Sequence, residues 1–198
     1  MKTRLLIAAL FAAAFVVIAI VVAEGRAPID LEVATWMAAH RSASGIAFFR
    51  TIAWLGSVAG IVPLGILCAA YLQRRGGWRE VGWLFLAMAG ATAVYATVML
   101  LFHSDRPPET LRAMDEIGYS FPSGHSCQAV VFWIVAPLLV GVSWVRVLGV
   151  ALLALTSLSR VYLGVHWLFD VLGGLCLGAW WTVLILAVRA RRGGLSGT

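Results

Sequence analysis

VGWLFLAMAGATAVYATVMLLF, residues 81–102, decides the fold: twenty-two consecutive residues without a charge. A helix that crosses a bilayer needs about 20 mostly apolar residues. A helix also satisfies its own backbone hydrogen bonds where no water is available. No strand-like alternation of polar and apolar positions runs through the segment, so the period of two expected for a half-buried strand is absent. The same reading applies to residues 5–23, 51–72, 123–142, 147–163 and 165–188. The expectation is an all-α integral membrane protein with six transmembrane helices in a single domain, 1–198. Pro63 and Pro137 fall inside predicted spans, where membrane helices tolerate and bend around them. Gly56/Gly60 and Gly174/Gly178 have the GxxxG spacing that lets helices approach closely, within one chain or between two.

Composition agrees. Of 198 residues, 62% are hydrophobic and 12% charged, with mean hydropathy +0.93. Soluble domains carry about 25% charged residues. The net charge of +6 does not point to nucleic acid, because the charges sit in short clusters between apolar runs rather than along one face. Cys68, Cys127 and Cys176 are odd in number, lie inside apolar runs and lack metal-type spacing; they read as small buried residues.

With the N-terminus inside, Lys2, Arg4, Arg74, Arg75, Arg79, Arg146, Arg189, Arg191 and Arg192 fall on the inner side. Arg26, Arg41, Arg50, Arg106, Arg112 and Arg160 fall outside. The inner loops are short and dense in charge, as the positive-inside rule requires, so the topology is N-in/C-in. The first segment also resembles a signal peptide, but its apolar run is longer than the usual 7–15 residues, and it is read as a retained helix. Between the first two spans, Ile29, Val33, Trp36, Met37 and His40 recur at helical spacing, which predicts a short amphipathic helix in the outer interface.

Three polar groups interrupt this apolar chain: Arg106-Pro107; Pro122-Ser123-Gly124-His125; and Ser159-Arg160 with His166 and Asp170. All lie at outer helix ends in this topology. A charged group costs about 2.5–3.5 kcal/mol at the membrane centre on insertion scales, so such residues have partners and a task. Two arginines offer permanently charged forks that suit phosphate oxygens. Ser123 and Gly124 begin a helix whose free N–H groups and dipole favour an anion. His166 and Asp170 are four apart and would share one helix face, so Asp170 can hold one imidazole nitrogen and leave the other as nucleophile. His125 is a second imidazole able to protonate a leaving oxygen. Neighbouring arginines and the lack of a Cys or Glu to complete a shell speak against a metal at these histidines, and no cofactor is expected.

In order and spacing these residues resemble the three-part signature of the type-2 phosphatidic acid phosphatase superfamily. The signature covers about 65 residues, from Arg106 to Asp170. The resemblance implies a metal-independent phosphatase acting through a phosphohistidine. His166 would be the nucleophile, Asp170 its orienting partner and His125 the acid, with Arg106, Arg160, Ser123 and Gly124 on the phosphate. One position departs: the family's first motif starts with Lys seven residues before its Arg, and here that place holds Met99. His103 or Arg112 could supply the missing charge. The implied substrates are membrane lipid phosphates, such as undecaprenyl pyrophosphate, phosphatidylglycerol phosphate, phosphatidic acid or diacylglycerol pyrophosphate. The implied setting is the cell inner membrane, with the site facing the periplasm or exterior. A lipid phosphotransferase using the same phosphohistidine, or a weakened lipid-phosphate binder, are the alternatives.

Overall fold

A computed structural model describes residues 2–194. The described residues form eight α-helices: α1 Lys2–Ala23, α2 Pro28–Ala39, α3 Ala43–Leu55, α4 Val58–Arg74, α5 Trp78–Phe102, α6 Gly124–Val140, α7 Ser143–Tyr162 and α8 Leu168–Gly194. A short 3-10 turn, Glu109–Leu111, lies in the long connection from α5 to α6. Helices α1, α5, α7 and α8 are each long and apolar enough to cross a membrane. The pair α3 and α4 makes a fifth span when counted as one, and α6, at 17 residues, is apolar but shorter.

The second expected span, 51–72, is corrected by this arrangement. The chain is already helical from Ala43, and it breaks at Gly56-Ser57, where α3 and α4 meet at a 50° bend. Gly56 caps α3, and a Cβ there would meet Thr156 of α7 at 2.2 Å; at Gly60 it would meet the Trp54 carbonyl at 2.4 Å. This glycine pair therefore serves a bend rather than a straight helix seam. Gly174 and Gly178 behave as expected. A Cβ on either would strike a backbone carbonyl of α6, that of Ser123 at 2.4 Å or of Cys127 at 2.6 Å.

Helix α6 is the hub, packed between α5, α7 and α8, while α1 lies along α8. Trp83, Ala87, Cys127, Val131, Val135, Leu177 and Ile185 form the core where α5, α6 and α8 meet. Large apolar side chains face outward on α1, α4 and α5, among them Leu10, Val17, Ile66, Leu67, Phe85 and Leu101. In water such a girdle would be an aggregation surface; in lipid it is the expected exterior.

Helix α2 is the short helix expected between the first two spans, and its stripe faces away from the protein. Ile29, Trp36 and His40 are exposed, and Asp30 and Ala34 point inward. An acid on the buried face of an otherwise apolar helix requires a partner, and it has one in the site described next.

Candidate active site

The opposite ends of α5 and α8 differ in character. Arg4, Arg79, Glu80 and Arg189 surround one end, with Arg189 paired to Glu80 at 2.9 Å. At the other end the three polar groups of the sequence come together, although 64 residues separate Arg106 from Asp170 in the chain. Asp170 and Arg189 are nineteen residues apart on α8, about 28 Å at 1.5 Å per residue, close to the ~30 Å hydrocarbon core of a bilayer.

His166 does not lie on α8, as the i,i+4 reading expected. It sits in the turn between α7 and α8, and Asp170 lies in the first turn of α8. The imidazole is consequently held from another side. Nδ1 lies 2.8 Å from the Ser120 carbonyl oxygen and 3.7 Å from Asp170 Oδ2. A carbonyl only accepts, so Nδ1 carries the proton and Nε2 carries the lone pair, which accepts from Arg106 NH1. Asp170 acts one step back: its Oδ2 accepts from the Ser120 hydroxyl and, at 3.0 Å, from the Trp167 N–H. Asp170 thus secures the residue whose carbonyl sets the tautomer. The sequence offered no signal for Ser120, because this contact is made by backbone.

Arg106 NH1 lies 3.2 Å from His166 Nε2 and donates to the Val165 carbonyl at 2.7 Å. The carbonyls of Ile117, Gly118 and Tyr119 accept its other N–H groups, at 3.1, 2.8 and 3.1 Å. The long connection is therefore folded around this one guanidinium. Burial pulls the Arg106 pKa down to about 10, with Glu116 opposing and Arg160 adding to the shift, so it remains a cation at neutral pH. Arg160, only 1% exposed, pairs with Glu116 at 2.8 Å. Its Nε has no partner. A buried donor left without an acceptor is costly, and a phosphate oxygen would satisfy it.

Ser123 caps α6: its hydroxyl accepts from Ser126 Oγ at 3.1 Å, and its own N–H goes to the Asp170 carbonyl at 3.0 Å. Ser123 is thus fully buried and ties α6 to α8. Gly124 opens the helix and faces the groove described below, with an N–H that has no intrahelical acceptor. His125 follows on the same groove, with Nδ1 3.8 Å from Glu116 Oε1.

Glu116 is a site residue that the sequence did not single out. Its carboxylate lies between Arg160 and His125. Burial alone would raise its pKa, but Arg160, His125 and Arg106 hold it below the usual carboxylate range. Nothing in its local sequence marks it apart from other acids in the connection; only the folding of that connection brings it here.

His103 ends α5 in a left-handed turn, φ +46°, with its ring edge against Tyr119. Arg112 donates to the Pro107 carbonyl, and its charge is felt at Arg106. Among the described residues no cluster of three His, Cys, Asp or Glu side chains could hold a metal.

From these residues a groove of about 750 Å³ runs down between α4 and α5. His166, Arg106, Glu116 and His125 line its polar end, and Tyr95, Met99, Met88, Ile66, Ile61 and Phe85 line the rest. Its walls reach from Met99 to Val81 on α5, about 27 Å along the helix. A polar head and a long apolar body can both be accommodated.

The chain is 32% identical over 110 residues to the undecaprenyl-diphosphatase of Sulfolobus acidocaldarius, covering 56% of this chain and 53% of that protein. It is 32% identical over 138 residues to phosphatidylglycerophosphatase B of Bacillus subtilis, covering 64% of this chain and 66% of that protein. It therefore spans between about half and two thirds of the length of these relatives. Its fold is similar to the crystal structure of a transmembrane PAP2-type phosphatidylglycerolphosphate phosphatase from Bacillus subtilis, with TM-score 0.81 at 24% identity, covering 91% of this chain and 96% of that one. The model of the PAP2 superfamily matches residues 80–193, more than half of the sequence and all three polar groups, and the chain belongs to that superfamily.

Proposed function

We propose that this protein is a metal-independent lipid phosphatase that hydrolyses a phosphate or pyrophosphate monoester of a membrane lipid through a phosphohistidine. The observation that carries the reading is the state of His166. Its Nδ1–H is held by the Ser120 carbonyl, and its unprotonated Nε2, which accepts from Arg106 NH1, stands at the head of a lipid-length groove. Family membership and the two phosphatase relatives support the same reaction class.

In the first step the Nε2 lone pair attacks phosphorus, and the bond from phosphorus to the lipid oxygen breaks. That oxygen takes a proton from His125, whose imidazolium is favoured by the negative charge of the arriving phosphate. In the second step a water gives a proton to His125 and attacks phosphorus. The P–N bond breaks, its electrons return to Nε2, and inorganic phosphate leaves. Arg106, Arg160 and the Gly124 N–H hold the phosphoryl oxygens, with Ser123 supporting them by fixing the N-terminus of α6. Preorganised charge of this kind is the main source of catalysis in phosphoryl transfer. Glu116 occupies the position of an anion between Arg160 and His125 and must yield when phosphate enters.

The single domain is read as crossing the membrane six times, counting α3–α4 as one bent span and α6 as a short one, N-in/C-in. The cluster of Arg4, Arg79 and Arg189 supports an inner location for that end and an outer, periplasmic one for the site, in the cell inner membrane. The groove favours substrates whose tail stays in lipid, such as undecaprenyl pyrophosphate, phosphatidylglycerol phosphate or phosphatidic acid. The test is phosphate release from these three lipids by detergent-purified protein, with a chelator present and His166→Ala as control. Release that needs His166 supports the reading, and phosphate passed to an acceptor lipid instead would mark a transferase. No release from any lipid would sink it.

A further inference from the structure

Arg26 stands between α1 and α2 in a left-handed conformation, φ +69°, well before the family-matched residues 80–193. Its guanidinium reaches two buried acids. NH1 lies 3.2 Å from Asp30 Oδ2. NH2 lies 3.0 Å from Asp170 Oδ1, as a charge contact outside hydrogen-bond alignment. NH2 also donates to the Ser104 hydroxyl and, at 3.3 Å, to the Asp105 carbonyl. The guanidinium covers the Trp167 ring at 5.1 Å, and Trp167 Nε1 donates to the same Asp105 carbonyl at 2.9 Å. Asp30 is 1% exposed; its other oxygen, Oδ1, accepts from the Phe169 N–H at 2.9 Å and so caps the first turn of α8.

Two carboxylates without solvent and one cation between them form a high-stakes arrangement. Removing the cation leaves both acids buried and uncompensated. Asp170 also holds Ser120 through its other oxygen, and Ser120 holds His166. We propose that Arg26 and Asp30 are positioning residues for the nucleophile: they fix Asp170, and through Asp170 and Ser120 they keep the His166 imidazole aimed at the phosphate. The junction of the first two helices thereby becomes part of the catalytic apparatus, although no phosphate contact is made there. The inference rests on His166 being the nucleophile of a phosphatase.

The test compares wild type, Arg26→Gln, Arg26→Lys, Asp30→Asn and the double variant Arg26→Gln/Asp30→Asn, each assayed for kcat, KM and Tm on the best lipid phosphate. Loss of outer partners of a functional histidine typically costs on the order of 10- to 100-fold. Arg26→Gln should lose kcat in that range with KM within about twofold, since Arg106 and Arg160 are untouched. Arg26→Lys should recover much of it. The double variant should be more active than Arg26→Gln alone, because it removes the second uncompensated carboxylate beside Asp170; a merely structural pair would regain Tm in the double variant with no change in kcat. Arg26→Gln with wild-type kcat, or a loss confined to KM or Tm, would overturn the inference while leaving the phosphatase reading intact. If Arg26→Gln fails to fold, Arg26→Lys and Asp30→Asn decide it by the same split between kcat and KM. A wild-type protein inactive on every lipid phosphate would instead remove the phosphatase reading, and this inference with it.

Discussion

Replacing Gly174 by alanine tests whether the seam between α6 and α8 sets the geometry of the site. A Cβ at Gly174 would lie 2.4 Å from the Ser123 carbonyl oxygen, 3.1 Å from Ser126 Cβ and 3.3 Å from Cys127 N, whereas ordinary contact begins at 3.4 Å. The atom in the way is backbone, not the end of a flexible side chain, so Ser123 must retreat by about 1 Å in a close-packed interior. Ser123 caps α6 and donates its N–H to the Asp170 carbonyl. The shift therefore moves Gly124 and His125 relative to Asp170 and His166. Overpacking typically costs about 1–3 kcal/mol of stability, and a misplacement of about 1 Å can cost on the order of 100-fold in rate. We expect Gly174→Ala to lower Tm and to reduce kcat about 100-fold. Gly178→Ala, one turn further along α8, meets the Cys127 carbonyl at 2.6 Å and Val130 Cβ at 3.0 Å. It should cost comparable stability but much less activity. Gly82→Ala has nothing within 4 Å and serves as the neutral control. The assays are phosphate release and thermal unfolding in detergent. Gly174→Ala with wild-type kcat and Tm would refute the argument that this contact holds the site.

Four further outcomes follow from the same geometry. Glu116→Gln frees Arg160 from a competing anion, so inorganic phosphate should inhibit roughly fivefold to tenfold more strongly, about 1–1.4 kcal/mol of affinity, as measured by product inhibition. The same variant changes the pH dependence of stability. Arg160 and its neighbours hold the folded Glu116 pKa below its ordinary value of 4.5. Its contribution is complete above that value and is lost as pH falls through the folded pKa, so wild type should lose more Tm than Glu116→Gln on acidification below about pH 4.5. Met99→Lys places a cation on the groove wall beside the site and should raise kcat/KM for a short-chain lipid phosphate; a large loss would mean that this apolar wall is part of the tail groove. Phosphate release should also survive a chelator, because Arg106 and Arg160 already supply the positive charge that a metal would bring to the phosphate.

The residues of the site were legible in the sequence because each is chemically unusual where it stands. Arg106, His125, Arg160, His166 and Asp170 interrupt an apolar chain, and their order and spacing are those of a known signature. The folded chain brings all five together. Ser120, Glu116, Arg26 and Asp30 were not legible in this way. Ser120 acts through its carbonyl, which every residue possesses, and Glu116 lies in a connection whose path depends on carbonyls wrapping Arg106. Asp30 is an acid on a short helix whose exposed face, Ile29 and Trp36, carries the apolar pattern that periodicity detects. The break at Gly56 was hidden for a similar reason: hydropathy is averaged over a span, and a bend leaves the average unchanged.

The sequence by itself determined the solvent of this protein, its helical class and the chemistry it carries, because apolar run length and residue type are local properties. Tertiary structure decided the directions: which nitrogen of His166 carries the lone pair, which acid lies opposite Arg160, and which arginine compensates Asp170. Those depend on contacts between segments as distant as Arg26 and Asp170, and no local pattern encodes them.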